Sequence, residues 1–199
     1  MRVLVGCEFS GVVREAFRKL GHDAWSCDII PADDNSPYHY QCDIFEVINL
    51  GWDLAIFHPP CTYLSNAGAR FLYPKGNLNI DRLKKGLEAR DFFMRLYYSN
   101  IPKICIENPV ASTIYNLPKY TQSIQPYEHG HPFQKKTCLW LKNLPLIQPT
   151  NLVSERESTK VPGNWFNKCG KDRQKNRAKT FEGIAKAMAE SWGNNEDEK

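Results

Sequence analysis

The amino-acid sequence predicts an α/β fold in which helices cover both faces of an open, mostly parallel, doubly wound sheet. Short apolar runs that are typical of buried strands alternate with longer segments of helix-forming residues, and this alternation favours parallel strands joined by right-handed crossovers. The chain has 199 residues, of which 42% are hydrophobic. That length and composition predict one domain over residues 1–199 with a substantial core, and two full domains are not expected.

The first predicted elements lie in residues 2–39. Residues 2–6 are an apolar run that predicts a strand. Residues 12–20 predict a helix that ends at Gly21, because glycine suits the left-handed conformation that closes many helices. Residues 24–27 predict a second strand. The prolines, acids, amides and serine of residues 31–39 predict a loop at the edge of the sheet.

The remaining elements alternate in the same way. A strand is expected at residues 53–57 and a helix at residues 80–99, whose apolar side chains near one face are Leu83, Leu87, Met94 and Tyr98. Further strands are expected at residues 104–107 and 138–141, and a closing helix at residues 181–192. The sequence has no visible internal repeat.

Cys61 is a candidate nucleophile. It follows the predicted strand at residues 53–57, in a loop that Pro59 and Pro60 stiffen. Ligands in an open α/β sheet bind beyond the carboxyl ends of the strands, so a thiol at this place would face the cleft rather than the core. The alternative is that Cys61, one of seven cysteines, only fills space, because free cysteine commonly packs as a small buried hydrophobe.

Glu107 ends another predicted strand and is expected at the same edge of the sheet as Cys61. The two residue types have a joint chemistry. A thiolate adds to carbon 6 of a pyrimidine ring when another group protonates or hydrogen-bonds ring nitrogen 3, and a partly buried carboxyl group suits that task. Alternatively, Glu107 caps a following helix or pairs with a nearby lysine.

These residues belong to a series of motifs that resembles the DNA cytosine-5 methyltransferase family, especially the short forms of phages and prophages. The motifs follow the family's order over nearly the whole chain: Phe9-Ser10-Gly11, Asp28, Asp43, Pro60-Cys61, Glu107-Asn108, residues 130–135 and residues 181–188. The resemblance implies a Rossmann-like methyltransferase fold that uses S-adenosylmethionine. It also implies methylation of cytosine carbon 5, most naturally in DNA, through a covalent adduct of Cys61.

The resemblance implies a role for each matched residue. Catalysis is expected of Cys61, Glu107 and Lys135. Asp28 is expected at the cofactor ribose and Asp43 at the adenine edge, and the full set expected to bind S-adenosylmethionine is Phe9, Ser10, Gly11, Asp28, Asp43, Pro59 and Gly183. Contact with the substrate or DNA is expected of Pro60, Ser65 and Asn108.

Several positions depart from the family pattern. The glycine-rich turn after the first strand is reduced to Gly11, and Thr62 follows the nucleophile where glutamine is usual. Lys135 and Thr137 stand where the family has two arginines. Ile184 replaces the asparagine that usually follows the glycine of the last motif.

Two further segments are predicted to contact DNA. In the segment from Ser65 to Asn79, Arg70 and Lys75 are placed to meet phosphate or an extruded base, and the resemblance implies that this segment is a moving lid. The alternative is that Phe71 and Leu72 hold it permanently against the domain.

The second segment is a short basic insert at residues 143–180, where larger family members have a target-recognition domain. Its cations and aromatic residues suit a surface that follows the nucleic-acid backbone and stacks on bases. The residues expected to do so are Trp165, Lys168, Lys171 and Arg173. The alternative is a basic loop that contacts only solvent, because runs of charged residues in loops are usually just solvated.

Composition narrows the partners and the compartment. An odd number of cysteines without paired spacing argues against disulfides and a zinc site, and we expect no metal. No long apolar stretch or secretory signal is present, so we expect no membrane contact and a place in the cytoplasm of a bacterium or phage-infected cell. The net charge of +4 is only mildly basic.

The expected partner is DNA, duplex or single-stranded. Two alternatives to methylation of duplex DNA remain open. One is a methyltransferase that acts on a free pyrimidine nucleotide or on single-stranded DNA. The other is a non-catalytic homologue that binds the cofactor or nucleic acid.

Overall fold

A seven-stranded sheet with the order β3-β2-β1-β4-β5-β7-β6 forms the centre of the computed structural model, which describes residues 1–157 and 178–194. The strands are β1 (Arg2–Gly6), β2 (Asp23–Asp28), β3 (His39–Gln41), β4 (Leu54–Phe57), β5 (Lys103–Pro109), β6 (Gln122–Ile124) and β7 (Thr137–Lys142). The pairs among β1 to β5 are parallel, whereas β7 runs antiparallel to both β5 and β6. The predicted α/β fold with a mostly parallel sheet is confirmed.

Helices cover both faces of this sheet. They are α1 (Val12–Lys19), α2 (Ile44–Val47), α3 (Asn66–Ala69), α4 (Ile80–Tyr97) and α5 (Glu182–Gly193), and short 3-10 turns lie at Pro74–Gly76, Thr113–Tyr115 and Pro126–Glu128. Alternate residues of β1 point to opposite faces, as expected for a strand. Val3 and Val5 pack with α1 and α5, and Leu4 packs with the buried side chains of α2 and α4. The sheet is therefore doubly wound, with one apolar core on each face.

The structure corrects the sequence-based elements in detail. The apolar face predicted for α4 is wrong at two positions, because Leu87 and Tyr98 are exposed. The buried residues of α4 are Gly86, Phe93 and Leu96. The short elements β3, β6 and α2 were not expected, since three or four residues carry too little periodicity to be recognised. The predicted cap at Gly21 is confirmed by its left-handed φ of 83°.

The register of the parallel strands brings their carboxyl ends level. Gly6 of β1 is paired with Cys27 of β2 and with Phe57 of β4, and Phe57 is paired with Ile106 of β5. The residues that follow these positions therefore lie along one edge of the sheet. They are Cys7, Asp28, His58 and Glu107.

Candidate functional site

Two contacts join the loop that carries Cys61 to the end of β5. The Nδ1 atom of His58 lies 2.8 Å from Oε2 of Glu107, and the side-chain amide of Asn108 donates to the carbonyl of Pro59 at 3.3 Å. Cys61 is partly buried and lies two residues beyond Pro59. The structure thus brings the cysteine loop and the strand that bears Glu107 together at one edge of the sheet.

Glu107 lies in a site that favours its charged form. Burial raises the pKa of this carboxyl group, but the hydrogen bond from His58 and the positive charge of Lys135 outweigh that effect, so the pKa lies below its ordinary value. The ammonium group of Lys135 is also 5.8 Å from the centre of the Phe181 ring, next to the start of α5. Lys135 is therefore in electrostatic reach of Glu107.

His58 is a site residue that sequence reasoning missed. Its side chain is only 8% exposed, and its Nε2 atom is buried without a hydrogen-bond partner in the part of the chain that the structure describes. The available signal was its place directly after a buried strand and before the two prolines. A histidine at that position is brought level with Glu107 by the pairing of β4 with β5.

Glu8 is a second residue that the sequence did not reveal. Its carboxylate accepts hydrogen bonds from the backbone amides of Val13 at 2.8 Å and Arg14 at 3.3 Å, and from the Ser10 hydroxyl at 3.2 Å. It therefore supplies the acceptors that the first turn of α1 needs. Burial raises the pKa of Glu8, and the hydrogen bonds from the amides of Val13 and Arg14 only partly offset this effect.

Position 11 requires a glycine, both for its backbone conformation and for lack of space. Its φ is 72°, a left-handed conformation that favours glycine, and a Cβ atom there would overlap the guanidinium group of Arg14. That guanidinium is fully buried, where it donates to the Ser26 hydroxyl at 2.7 Å and pairs with Asp34. Arg14 thereby holds the loop after β2 close to the turn after β1.

The other residues expected in the first motif lie beside this turn. Phe9 is buried, and its carbonyl accepts from the backbone amide of Asp33 at 2.9 Å. Ser10 and Gly11 line a cavity of about 450 Å³ between α1 and α5, to which Glu182 also contributes. The first and the last predicted motifs therefore meet at one cavity.

Asp28 and Asp43 are brought near each other around the thiol of Cys7. Burial, together with the charges of these two carboxylates, raises the pKa of Cys7 to about 12. Asp28 accepts from the amide of Ile30 at 3.2 Å, and burial raises its pKa. Asp43 has a structural task as well, because it is the N-cap of α2 in a reciprocal capping box with Glu46. The pair forms a local cluster of acids at the ends of β2 and β3.

Gly183 lies against the backbone of the preceding loop. Its amide donates to Nε2 of His131 at 3.0 Å, and a Cβ atom at this position would overlap the carbonyl of His129. This close approach explains why a glycine lies in the first turn of α5. Its predicted contact with a cofactor stays a prediction.

The segment from residue 65 to 79 is anchored at its start and near its centre. Ser65 caps α3 by accepting from the amide of Gly68 at 3.2 Å. The guanidinium of Arg82 donates to the carbonyls of Thr62 at 3.1 Å and Gly68 at 3.0 Å. Of the two residues expected to hold this segment down, Leu72 is buried and Phe71 is 51% exposed.

Arg70 and Lys75, the two cations predicted to meet DNA in this segment, are both exposed, and so is Pro60. Arg70 lies with its guanidinium 4.6 Å from the centre of the Phe71 ring. Lys75 adopts a left-handed conformation in the turn before α4. These positions leave both side chains on the surface that follows the cysteine loop.

Most of the predicted basic insert falls outside the described residues, including Trp165, Lys168, Lys171 and Arg173. Two of its cations are described: Arg156, whose guanidinium lies 3.8 Å from the centre of the Tyr127 ring, and Lys179, which forms an ion pair with Asp33 at 2.7 Å. Within residues 1–157 and 178–194, no group of three potential metal ligands is arranged to hold an ion. None of the helices described there has the length and apolar character that crossing a membrane requires.

Among solved structures that resemble this chain is a candidate DNA modification methyltransferase encoded within a prophage of E. coli. It matches with a TM-score of 0.47 and 13% identity, over 84% of this chain and 53% of its own. The Entamoeba histolytica methyltransferase EhMeth matches with a TM-score of 0.48 and 17% identity, over 79% of this chain and 57% of its own. The S. pombe Dnmt2 methyltransferase matches with a TM-score of 0.39 and 15% identity, over 73% of this chain and 50% of its own.

This chain therefore spans about half the length of each of these three proteins. The sequence matches no family model and no curated protein.

Proposed function

We propose that this protein is an enzyme that methylates carbon 5 of cytosine in DNA, with S-adenosylmethionine as the methyl donor. The observation that supports the proposal is the junction of the cysteine loop with β5 through His58–Glu107 and Asn108–Pro59. A thiol and a carboxyl group that act on one ring must reach it from one site, and this junction supplies such a site.

Cys61 is the proposed nucleophile. Its sulfur attacks carbon 6 of cytosine, and the electron pair displaced from the ring moves toward nitrogen 3 and makes carbon 5 nucleophilic. After methylation, a base takes the proton from carbon 5, and the electron pair left behind expels the sulfur from carbon 6 as a thiolate and restores the ring. The thiol must be deprotonated for the first step, because the thiolate is the nucleophilic form.

Glu107 is the proposed acid for ring nitrogen 3. Its place at the end of β5, with only 14% of its side chain exposed, keeps water from competing for the ring. The neighbouring Asn108 is fully buried, and its Oδ1 atom has no hydrogen-bond partner within the described residues. We propose that this oxygen accepts from the amino group of the target base.

The residues that follow β1, β2 and β3 at the same edge of the sheet suit S-adenosylmethionine. When bound, this cofactor supplies an electrophilic methyl group. Asp28 and Asp43 offer two carboxylates around Cys7, which suit the hydroxyl groups of a ribose and the amino group of an adenine. Phe9, Ser10, Gly11, Pro59 and Gly183 are the further residues proposed to hold it.

DNA is the proposed substrate because basic side chains follow the nucleophile. Arg70 and Lys75 are exposed in the segment after Cys61, beside Ser65 and Pro60. A base within a duplex must be flipped out before a buried thiol can reach it, at a cost of a few kcal/mol. Contacts of these cations with DNA phosphates would offset that cost, as would the contacts proposed for Lys168, Lys171 and Arg173 and the stacking proposed for Trp165.

The test is to incubate the protein with labelled S-adenosylmethionine and three substrates: duplex DNA, single-stranded DNA and cytidine nucleotides. We expect label in 5-methylcytosine of duplex DNA, identified by mass spectrometry after hydrolysis. DNA with fluorine at carbon 5 of cytosine should trap a covalent adduct in wild type but not in Cys61→Ser, because fluorine does not leave as a proton does. Label on single-stranded DNA or free nucleotide alone would move the substrate to that class. No label on any substrate would overturn the proposed activity.

A further inference from the structure

We infer that His58 is a positioning residue for Glu107. With its proton on Nδ1, it donates to one carboxyl oxygen of Glu107, directs the other oxygen toward the substrate ring, and stabilises the carboxylate that forms when Glu107 gives up its proton. The inference rests on the proposed function and adds a residue to it.

The geometry of the pair is that of a buried, charge-assisted hydrogen bond. Nδ1 and Oε2 are 2.8 Å apart, and the His58 and Glu107 side chains are 8% and 14% exposed. A bond of this type is stronger than one between neutral groups, and the poor access of water strengthens it further. It fixes the plane of the carboxyl group, so that Oε1 is the oxygen left to face a substrate.

The second ring nitrogen indicates which form of His58 is present. Nε2 is buried and finds no hydrogen-bond partner in residues 1–157 and 178–194. A charged imidazolium would bury an unpaired N–H group there, whereas the neutral ring with its proton on Nδ1 leaves only a lone pair. The neutral Nδ1–H form therefore fits this environment.

The proton balance of the step follows from that form. Glu107 is charged in the free protein; when the target base binds, it takes up one proton from solvent on Oε1 while Oε2 accepts from His58. As the bond from sulfur to carbon 6 forms, the electron pair moves to ring nitrogen 3, which takes the proton from Oε1. The negative charge on Glu107 is then held by the Nδ1–H group of His58. When Cys61 leaves as the thiolate, nitrogen 3 returns its proton to Glu107, and the proton of carbon 5 leaves separately to water acting as the base.

Several titratable groups face this pair. Lys135 lowers the pKa of Glu107, whose carboxylate in turn raises the pKa of the nearby thiols of Cys105 and Cys138, and Glu8 is the further carboxyl group near His58. Burial alone would raise the pKa of Glu107, and His58 and Lys135 reverse that shift. Without His58, the buried carboxyl should hold its proton to a higher pH. The decline of the transfer rate with rising pH, which reports loss of that proton, should then move to higher pH as well.

Two substitutions of similar size separate the hydrogen bond from simple packing. His58→Asn keeps an N–H donor near the position of Nδ1, and His58→Leu removes it. With duplex DNA under single-turnover conditions, we expect His58→Leu to slow methyl transfer by roughly 10- to 100-fold, the usual effect of one hydrogen bond to a charged group. The KM should change little, and His58→Asn should recover most of the rate.

Nuclear magnetic resonance gives a readout that does not need activity. Nitrogen-15 shifts of His58 should show a protonated Nδ1 and a bare Nε2. The carboxyl carbon of Glu107 should titrate at higher pH in His58→Leu than in wild type. Equal rates and superimposable pH profiles for wild type and His58→Leu would overturn this inference alone, as would a proton on Nε2 with a bare Nδ1. A wild-type protein that methylates no substrate would overturn the proposed function and the catalytic role of His58 with it.

Discussion

The side-chain amide of Asn108 donates to the carbonyl of Pro59 across 3.3 Å, although the two residues are 49 positions apart in the chain. Asn108 lies near the end of β5, and Pro59 begins the rigid loop that leads from β4 to Cys61. The hydrogen bond therefore sets the path of the cysteine loop relative to the strand that carries Glu107.

Cys61→Ser should abolish methyl transfer and leave cofactor binding nearly unchanged. A neutral hydroxyl is a far weaker nucleophile than a thiolate, and Cys61 is not among the residues proposed to contact the cofactor. Transfer is measured with labelled S-adenosylmethionine and binding by calorimetry. Cys42→Ser, which removes another partly buried thiol, is the control and should retain activity. A Cys61→Ser rate close to wild type would remove covalent catalysis from the mechanism.

Asp28→Ala should weaken binding of S-adenosylmethionine. A carboxylate that accepts from ribose hydroxyls forms charge-assisted bonds worth roughly 1.5 to 3 kcal/mol, which corresponds to about a 10- to 150-fold rise in Kd. Isothermal titration calorimetry measures this directly. Asp23→Ala, at the opposite end of β2, should leave the Kd unchanged. Equal effects of the two substitutions would place the ribose elsewhere.

Glu107→Gln should change how stability depends on pH. The folded pKa of Glu107 lies below its ordinary value near 4.5, so its ionisation stabilises the fold above that pH. This contribution is lost as the pH falls from about 4.5 through the lower folded pKa. Urea unfolding between pH 3 and 7 should therefore show wild type losing stability relative to Glu107→Gln as the solution is acidified. Parallel curves, or a wild type that gains relative stability in acid, would contradict the prediction.

Neutralising the insert cations Lys168, Lys171 and Arg173, together with the neighbouring Lys175, should reduce the salt dependence of DNA binding. Each lost contact with duplex phosphate lowers the magnitude of the slope of log K against log salt by about 0.9. The loss should be nearly independent of DNA sequence, because phosphate contacts carry no base information. A charge-matched control neutralises four exposed lysines elsewhere: Lys19, Lys84, Lys119 and Lys186. An unaltered slope in the insert variant would assign these residues to a solvated loop.

Trp165→Ala should weaken DNA binding by a different route. If the indole stacks on an unpaired base, its loss costs roughly 1 to 3 kcal/mol, and the loss persists at high salt. Fluorescence anisotropy with labelled oligonucleotides at two salt concentrations measures both effects. Trp165→Phe, which keeps an aromatic face, should retain most of the affinity. A loss that disappears at high salt would indicate that Trp165 acts only through the surrounding charges.

The alternation of apolar runs with helical segments was sufficient to predict the α/β class and the main strands. It also predicted that Cys61 and Glu107 lie at one edge, because parallel strands end together at a sheet edge. Gly21 was predicted as a helix end from its own conformational freedom, and its positive φ confirms this. Each of these features follows from a local pattern in the chain, in the case of Cys61 and Glu107 combined with the general rule for parallel strands, so the sequence by itself determined them.

Only the tertiary structure decided which groups surround Glu107 and Gly11. His58 contacts Glu107 because β4 pairs with β5 in one particular register, and a shift of one residue would turn it to the other face. Arg14 is buried because Gly11, Ser26 and Asp34 converge from three separate segments. The face of α4 was decided in the same way, by the groove in which Phe93 and Leu96 fit rather than by the exposed Leu87 and Tyr98. Contacts between distant segments depend on strand register and on packing against neighbours, and neither leaves a periodic signal in the local sequence.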